Sequence, residues 1–211
     1  MLLILIGSKQ VGKDTFAKVL IDKYDFSRHA FADALKKELL VTFEKPDAID
    51  GYSLVQFLVN PLFKEQEIPW LGITGRKLMQ TWGNYRRKGN PLYWIATTIT
   101  GINKELYSDP STRVVVTDTR YENELASLKK WYSDYFPDKI VVVKITRPGY
   151  EGDNHISEEL ARKEELEVDY IIENNSTRED FIQKATEFGN YIITENNVRD
   201  AVKVDGELKN V

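Results

Sequence analysis

The sequence predicts an α/β fold built on a parallel sheet with helices on its faces. Three observations carry that prediction. Residues 1–6 (MLLILI) form an unbroken apolar run, the pattern of a strand buried on both faces rather than on one. Further β-branched runs follow at 113–117 (RVVVT) and 139–146 (KIVVVKIT), with a shorter one at 169–172 (DYII). Helical patterns separate them, and strands alternating with helices specify a parallel sheet.

In chain order, the first strand gives way to a glycine-containing turn. An amphipathic helix follows, marked by Phe16, Val19 and Leu20 at helical spacing. Residues 28–31 supply a second short strand, bringing the sheet to about five strands. Helices are expected at 33–43, 121–135, 157–166 and 178–191. Residues 44–112 break the rhythm. They hold Trp70, Trp82 and Trp94 with several Pro and Gly, and they read as a helical insertion because strands precede and follow them. One domain is therefore expected over 1–195, with a core of 1–43 and 113–195 and the insertion at 44–112. A lid loop is expected at about 148–165, and a tail over 196–211, where periodicity fades.

Composition narrows the chemistry. The chain of 211 residues has 29 Lys+Arg against 33 Asp+Glu, a net charge of −4, which disfavours a protein held to nucleic acid by bulk charge. The absence of Cys excludes disulfides, thiolate zinc sites, iron–sulfur clusters and a Cys nucleophile. The two His residues, His29 and His155, lie too far apart in sequence to suggest a metal cluster. The apolar start stops at Gly7, short of a signal-peptide core of roughly 7–15 residues. No stretch approaches the roughly 20 apolar residues of a membrane span, so a soluble, cytoplasmic protein is expected.

The strongest motif is Gly7-Ser-Lys-Gln-Val-Gly12-Lys13-Asp14-Thr15. It has the spacing G-x-x-x-x-G-K between a strand and a helix, the context a phosphate loop requires. Its glycines allow backbone N–H groups to turn inward around phosphate oxygens. The helix N-terminus adds partial positive charge, and Lys13 bridges the outer phosphates. Gly7, Val11, Gly12, Lys13, Asp14 and Thr15 are the expected ATP-phosphate residues. Asp14 stands where Ser or Thr ordinarily ligates Mg²⁺. Two readings stay open for it: a direct or water-mediated Mg²⁺ contact, with Thr15 as its neighbour, or a first-turn acid favoured by the helix dipole.

Several segments in order then carry a resemblance. They are the GKDT loop, Phe31-Ala-Asp-Ala-Leu-Lys36, Gly75-Arg-Lys-Leu-Met-Gln80-Thr-Trp-Gly83 and Val114-Val-Val-Thr-Asp118-Thr-Arg120-Tyr-Glu-Asn-Glu124. Asp153-Asn-His155-Ile-Ser157-Glu158 and residues 169–174 complete the set. Together they resemble the phage-type deoxynucleoside monophosphate kinases and, more distantly, animal phosphomevalonate kinases. The resemblance covers roughly residues 1–190. It implies a P-loop fold, a cytoplasmic enzyme (host cytoplasm if phage-encoded), ATP and Mg²⁺ as cofactors, and γ-phosphoryl transfer to a deoxynucleoside monophosphate. Such transfer needs alignment and charge neutralisation rather than His or Cys chemistry.

Roles follow from chemistry and resemblance together. Asp118 ends a strand, where ligands of open α/β sheets bind, although capping the next helix is its plainer use. Arg120 suits a bidentate phosphate clamp, against an ordinary ion pair with Glu124 one helical turn on. With Lys13, these are the expected catalytic residues. The resemblance implies that Asp33 and Lys36 line the acceptor site, and Glu124 is expected among the dNMP-binding residues with them. Arg76, Gln80 and Gly83 share one helix face, Gln80 offering an amide to a base edge and Gly83 permitting close approach. Arg86 and Arg87 lie in the densest basic cluster, 85–88, and would hold the acceptor phosphate. Trp82, Tyr85 or Trp94 would stack on its base, although core packing is the commoner fate of any Trp. Arg147 follows a strand, where kinases of this kind place an Arg near ATP. His155, Ser157 and Glu158 belong to the lid, with Ser157 expected to cap the next helix. The expected partners are small molecules, a dNMP and ATP, with no membrane and no nucleic acid. A twofold homodimer is the ordinary expectation for a soluble enzyme.

Overall fold

The computed structural model describes residues 1–43, 51–133, 139–150, 152 and 155–207, the last of these, 196–207, by backbone alone. The start of the expected insertion (44–50), the end of the helix expected at 121–135, parts of the expected lid (151, 153, 154) and the end of the tail (208–211) lie outside the described residues.

The expected α/β architecture is present. Five strands form one sheet in the order β2-β5-β1-β6-β7, and helices flank it. They are β1 (Leu2–Ile6), β2 (Phe26–His29), β5 (Arg113–Val116), β6 (Ile140–Thr146) and β7 (Tyr170–Glu173). β1 is central and runs parallel to both neighbours, with Leu2 opposite Val114 on one side and Ile140 on the other. Its residues are buried throughout, which is why the sequence shows an unbroken apolar run rather than an alternation. β7 extends the sheet in parallel with β6. Asp169 registers this edge, its Oδ2 accepting from the Val142 N–H at 2.7 Å.

The chain divides into two compact units, 1–28 with 105–211, and 29–104. In the first, α1 (Lys13–Tyr24) and α8 (Arg178–Glu207) cover the sheet. Phe16, Leu20, Phe181, Ala185 and Phe188 close on Leu3, Leu5 and Val143 in one core. Phe16 meets Phe188 at 5.4 Å between ring centroids. Burial of these side chains at about 1.5–3 kcal/mol each is the main stabilising contribution.

The second unit contains α2 (Phe31–Phe43), α3 (Leu54–Val59), the hairpin β3–β4 (Glu67–Ile68 and Ile73–Thr74), α4 (Gly75–Gly89) and most of α5 (Tyr93–Ser108). α2 therefore groups with this unit, although its sequence position suggested the core. Here Gly75 is required by space, since a Cβ would lie 2.0 Å from the Phe57 carbonyl oxygen. Trp70 packs edge-on to Phe57 at 6.0 Å, a structural use.

Two expected helices differ in extent. Residues 157–166 do not form one helix. A 3-10 turn (Ile156–Glu158) leads into a short α7 (Glu159–Arg162), and the chain then turns extended at Lys163, because it must reach the edge of β6 as β7. α8 does not stop near 191 but runs on to Glu207, so the backbone of the expected tail is helical over its described part.

Candidate active site

Parallel strands present their carboxyl ends on one edge, and that edge gathers the first unit's expected site residues. The phosphate loop leaves β1 at Gly7. A Cβ there would come 2.5 Å from the Ile145 carbonyl oxygen, so only glycine lets the loop lie against β6. Gly12, the residue before α1, has φ +110, and a Cβ would strike Asn174 and Phe181 at 2.8 Å. Both fixed glycines of the motif thus have a steric reason.

Lys13 opens α1 but points back into the loop. Its Nζ donates to the Gly7 and Ser8 carbonyls at 2.6 and 2.7 Å. Burial, reinforced by the nearby Arg120 cation, pushes its ammonium down to about 8, while Glu158, Asp14 and Asp118 pull it back up. Val11 is buried, and its carbonyl accepts from Asn174 Nδ2 at 2.9 Å, so it shapes the loop through its backbone and packing. Asp14 is exposed in the first turn of α1 and Thr15 is half-buried.

Asp118 and Arg120 follow β5 on the same edge, both half-buried. The ion pair of Arg120 with Glu124 is replaced by a different arrangement. The Glu124 carboxylate is buried and accepts the backbone N–H groups of Arg120 and Tyr121 at 2.9 and 3.2 Å, capping α6 (Glu122–Ser133). That use satisfies two backbone donors leading into the helix, and it commits Glu124, expected among the dNMP-binding residues, to holding the Arg120 loop. The Arg120 guanidinium instead reaches Glu158, Nη1 to Oε1 at 2.6 Å. The other Glu158 oxygen accepts the Lys9 backbone N–H at 2.9 Å. Lys9, Arg120 and Glu158 thus form one cluster against the phosphate loop.

His155, not Ser157, caps the 3-10 turn. Its ring Nδ1 accepts from the Ser157 N–H at 3.2 Å and faces the Ser157 hydroxyl at 2.9 Å, because an imidazole nitrogen two residues back reaches the free amide. Arg147, exposed beyond β6, lies over the Tyr150 ring at 4.3 Å. Thr119, between Asp118 and Arg120, is buried with its hydroxyl unpartnered.

In the second unit, the remaining expected residues fall on α2, α4 and α5. Asp33 and Lys36 pair with each other at 3.5 Å along α2. Arg76 pairs with Glu65, and Gln80 is half-buried on the same helix. Trp94 is buried, its indole N–H donating to the Gly83 carbonyl at 3.2 Å. It is a core residue, not a stacking platform, and the space beside the Gly83 Cα is taken by Leu35, 3.6 Å from where a Cβ would lie, and by Arg87.

Arg86 and Trp82 converge on Glu38, a residue without any motif of its own. One Glu38 oxygen accepts from Trp82 Nε1 at 2.9 Å and Arg86 Nε at 2.5 Å, and the other from the Tyr93 hydroxyl at 2.9 Å. These donors hold the Glu38 carboxyl below its ordinary range against the opposing push of its partial burial. The guanidinium lies over both rings, 5.3 Å from Trp82 and 5.0 Å from Tyr93. Beside it, a cavity of about 470 Å³ is lined by Tyr85, Arg86, Lys88, Gly89, Asn90 and Tyr93. Arg87, half-buried, extends its Nη1 toward Gly83, where an added Cβ would meet it at 3.1 Å.

Asn174 and Glu38 are the contributors that residue patterns missed. Asn174 lies in the 169–174 segment that carries part of the resemblance, yet its amide anchors the loop from 163 residues away in sequence. The spacing of Glu38 from Lys36 offers no signal.

No helix among the described residues is long and apolar enough to cross a membrane. No group of three or more His, Asp or Glu able to hold a metal ion occurs among them.

No protein-family model matches the chain. A protein of Acanthamoeba polyphaga mimivirus named "Putative deoxynucleotide monophosphate kinase" is 27% identical over 193 residues, 84% of this chain and 90% of that protein. Among solved structures, a "putative kinase" from Chloroflexus aurantiacus aligns over 89% of this chain and 94% of its own, at 11% identity and TM-score 0.44. Shikimate kinase from Aquifex aeolicus covers 94% of this chain and 98% of its own, at 14% identity and TM-score 0.37. These are loose likenesses on which nothing further rests. The mimivirus relative bears out the resemblance read from the motifs. With a phosphate loop built as described, the chain is a kinase, an ATP-dependent phosphotransferase.

Proposed function

We propose that this kinase transfers the γ-phosphoryl group of ATP to a deoxynucleoside 5′-monophosphate, giving the diphosphate and ADP. The observation that carries the reading is the loop with Lys13 buried at its centre and Arg120 on the neighbouring strand end. A relative 27% identical over 193 residues is named for that substrate class.

In this reading, the loop amides and the α1 N-terminus bind the β- and γ-phosphates, and Lys13 neutralises charge that grows on them in the transition state. Arg120 clamps the transferring group, and Arg147 lies beside the nucleotide. Thr15 and Asp14, with Asp118 through water, are the residues that would hold Mg²⁺. This sparse set fits a cation that keeps most of its waters and takes its remaining ligands from ATP. When bound, Mg²⁺ supplies further charge neutralisation at the phosphates. For the acceptor, the second unit offers Asp33, Lys36, Arg76, Gln80 and Arg87, with Trp82 and Tyr85 as ring surfaces. The 148–165 segment would exclude water during transfer.

A coupled ADP-release assay against the full panel of nucleoside and deoxynucleoside monophosphates tests the proposal. Strong stimulation by one or more deoxynucleoside monophosphates is expected. ADP release that no monophosphate raises above bare ATP hydrolysis rejects the acceptor class. Stimulation by phosphomevalonate alone would instead point to a small phosphorylated metabolite.

A further inference from the structure

Glu158 is 3% exposed, an unusual position for a carboxylate unless it is paired. Its two partners are of a particular kind. One is the backbone N–H of Lys9, in the loop whose amides exist to bind phosphate oxygens. The other is the Arg120 guanidinium, the side chain best shaped to fork onto a phosphate. Lys13 lies in the same electrostatic neighbourhood, destabilised by Arg120 and stabilised by Glu158. Without a bound anion, the cations of Lys13 and Arg120 would repel each other across a partly buried site.

We propose that Glu158 is an internal stand-in for a nucleotide phosphate. In the nucleotide-free protein its carboxylate occupies the Lys9 amide and the Arg120 guanidinium, and an arriving phosphate oxygen takes both donors from it. The inference rests on the kinase reading but not on the identity of the acceptor. Two anions cannot share one N–H donor, and a carboxylate beside a polyphosphate at low dielectric is repelled by it. Nucleotide binding therefore releases Glu158 from the loop. Its affinity is set below what the donors alone would give, because part of the binding energy goes into displacing an anion already seated. The turn bearing Glu158 is thereby coupled to occupancy of the loop.

Calorimetric titration of the full chain with inorganic tripolyphosphate and with ADP, no acceptor present, tests this. Glu158→Gln keeps the shape and removes the charge, and it is expected to tighten both ligands by roughly tenfold. Arg120→Gln should weaken both by a similar factor. Unchanged or weaker binding in Glu158→Gln, with the melting temperature retained, overturns the proposal and leaves Glu158 as a fixed support for Arg120. Should that variant fail to fold, the unmutated protein decides. On tripolyphosphate addition, the ¹³C resonance of the Glu158 carboxyl should move toward that of a solvated carboxylate while the Lys9 amide shifts. A Glu158 resonance that stays put at saturation overturns the proposal. None of these readouts involves a monophosphate, so a failed acceptor panel leaves them standing.

Discussion

Glu158 and Glu38 each hold an arginine in this molecule, and they do so to different ends. Glu158, in the first unit, spends one oxygen on Arg120 and the other on a phosphate-loop amide. Both donors are groups that an incoming phosphate can claim. Glu38, in the second unit, gathers Arg86, Trp82 and Tyr93. Two of those donors belong to aromatic side chains that orient a ring, and the guanidinium is stacked as well as paired. The first arrangement is exchangeable, whereas the second is architectural. A carboxylate–arginine pair therefore does not define a role. The identity of the other donors does.

The largest effect expected on the exchangeable side comes from Lys13→Ala, which removes the buried cation. A fall in kcat of roughly 10³-fold or more is expected, measured by ADP release with saturating ATP. A loss below tenfold would mean that the loop cation is dispensable and that the chemistry lies elsewhere.

The titration of Lys13 sharpens the same side. Its folded-state pKa of about 8 lies below the ordinary 10.5, so the ammonium is lost as pH rises through 8 in the free enzyme. kcat/KM for ATP should fall along that limb, while kcat, which reports the complex, should persist to higher pH because bound phosphate favours the charged form. For stability the sign is opposite. The unfolded chain binds more protons between about 8 and 10.5, so the Lys13 contribution rises with pH across that window. Parallel limbs for kcat and kcat/KM would show that phosphate does not contact Lys13.

The architectural side predicts a smaller effect of another kind. Glu38→Ala should lower Tm by roughly 3–8 °C, since it strands three donors at once. Tripolyphosphate affinity should stay within a factor of about two, because the phosphate loop belongs to the other unit. An unchanged Tm would make Glu38 as exchangeable as Glu158.

Legibility from the sequence followed the range of the interactions. The loop was readable because its glycines, Lys13 and the flanking strand and helix are contiguous. The positions of Asp118, Arg120 and Arg147 were readable because strand ends mark the binding edge. Trp94 was not, since an aromatic in a helix looks the same whether it faces a ligand or, as here, donates its indole N–H to Gly83 inside the core. Arg120 shows the limit more sharply. Its neighbour at helical spacing is Glu124, yet Glu124 spends its carboxylate on backbone amides, and the guanidinium finds Glu158, 38 residues away.

The fold class, the loop and the reaction class were legible in the chain alone. These depend on local periodicity and on residues adjacent in the chain. Which acid meets which base was decided only by the tertiary structure. Asn174 reaches Val11, Glu158 reaches Lys9 and Arg120, and Glu38 reaches Arg86 and Tyr93. Each pairing is set by the parallel strand order or by the packing of α2, α4 and α5, and desolvation there selects the partner that leaves the fewest buried groups unpaired.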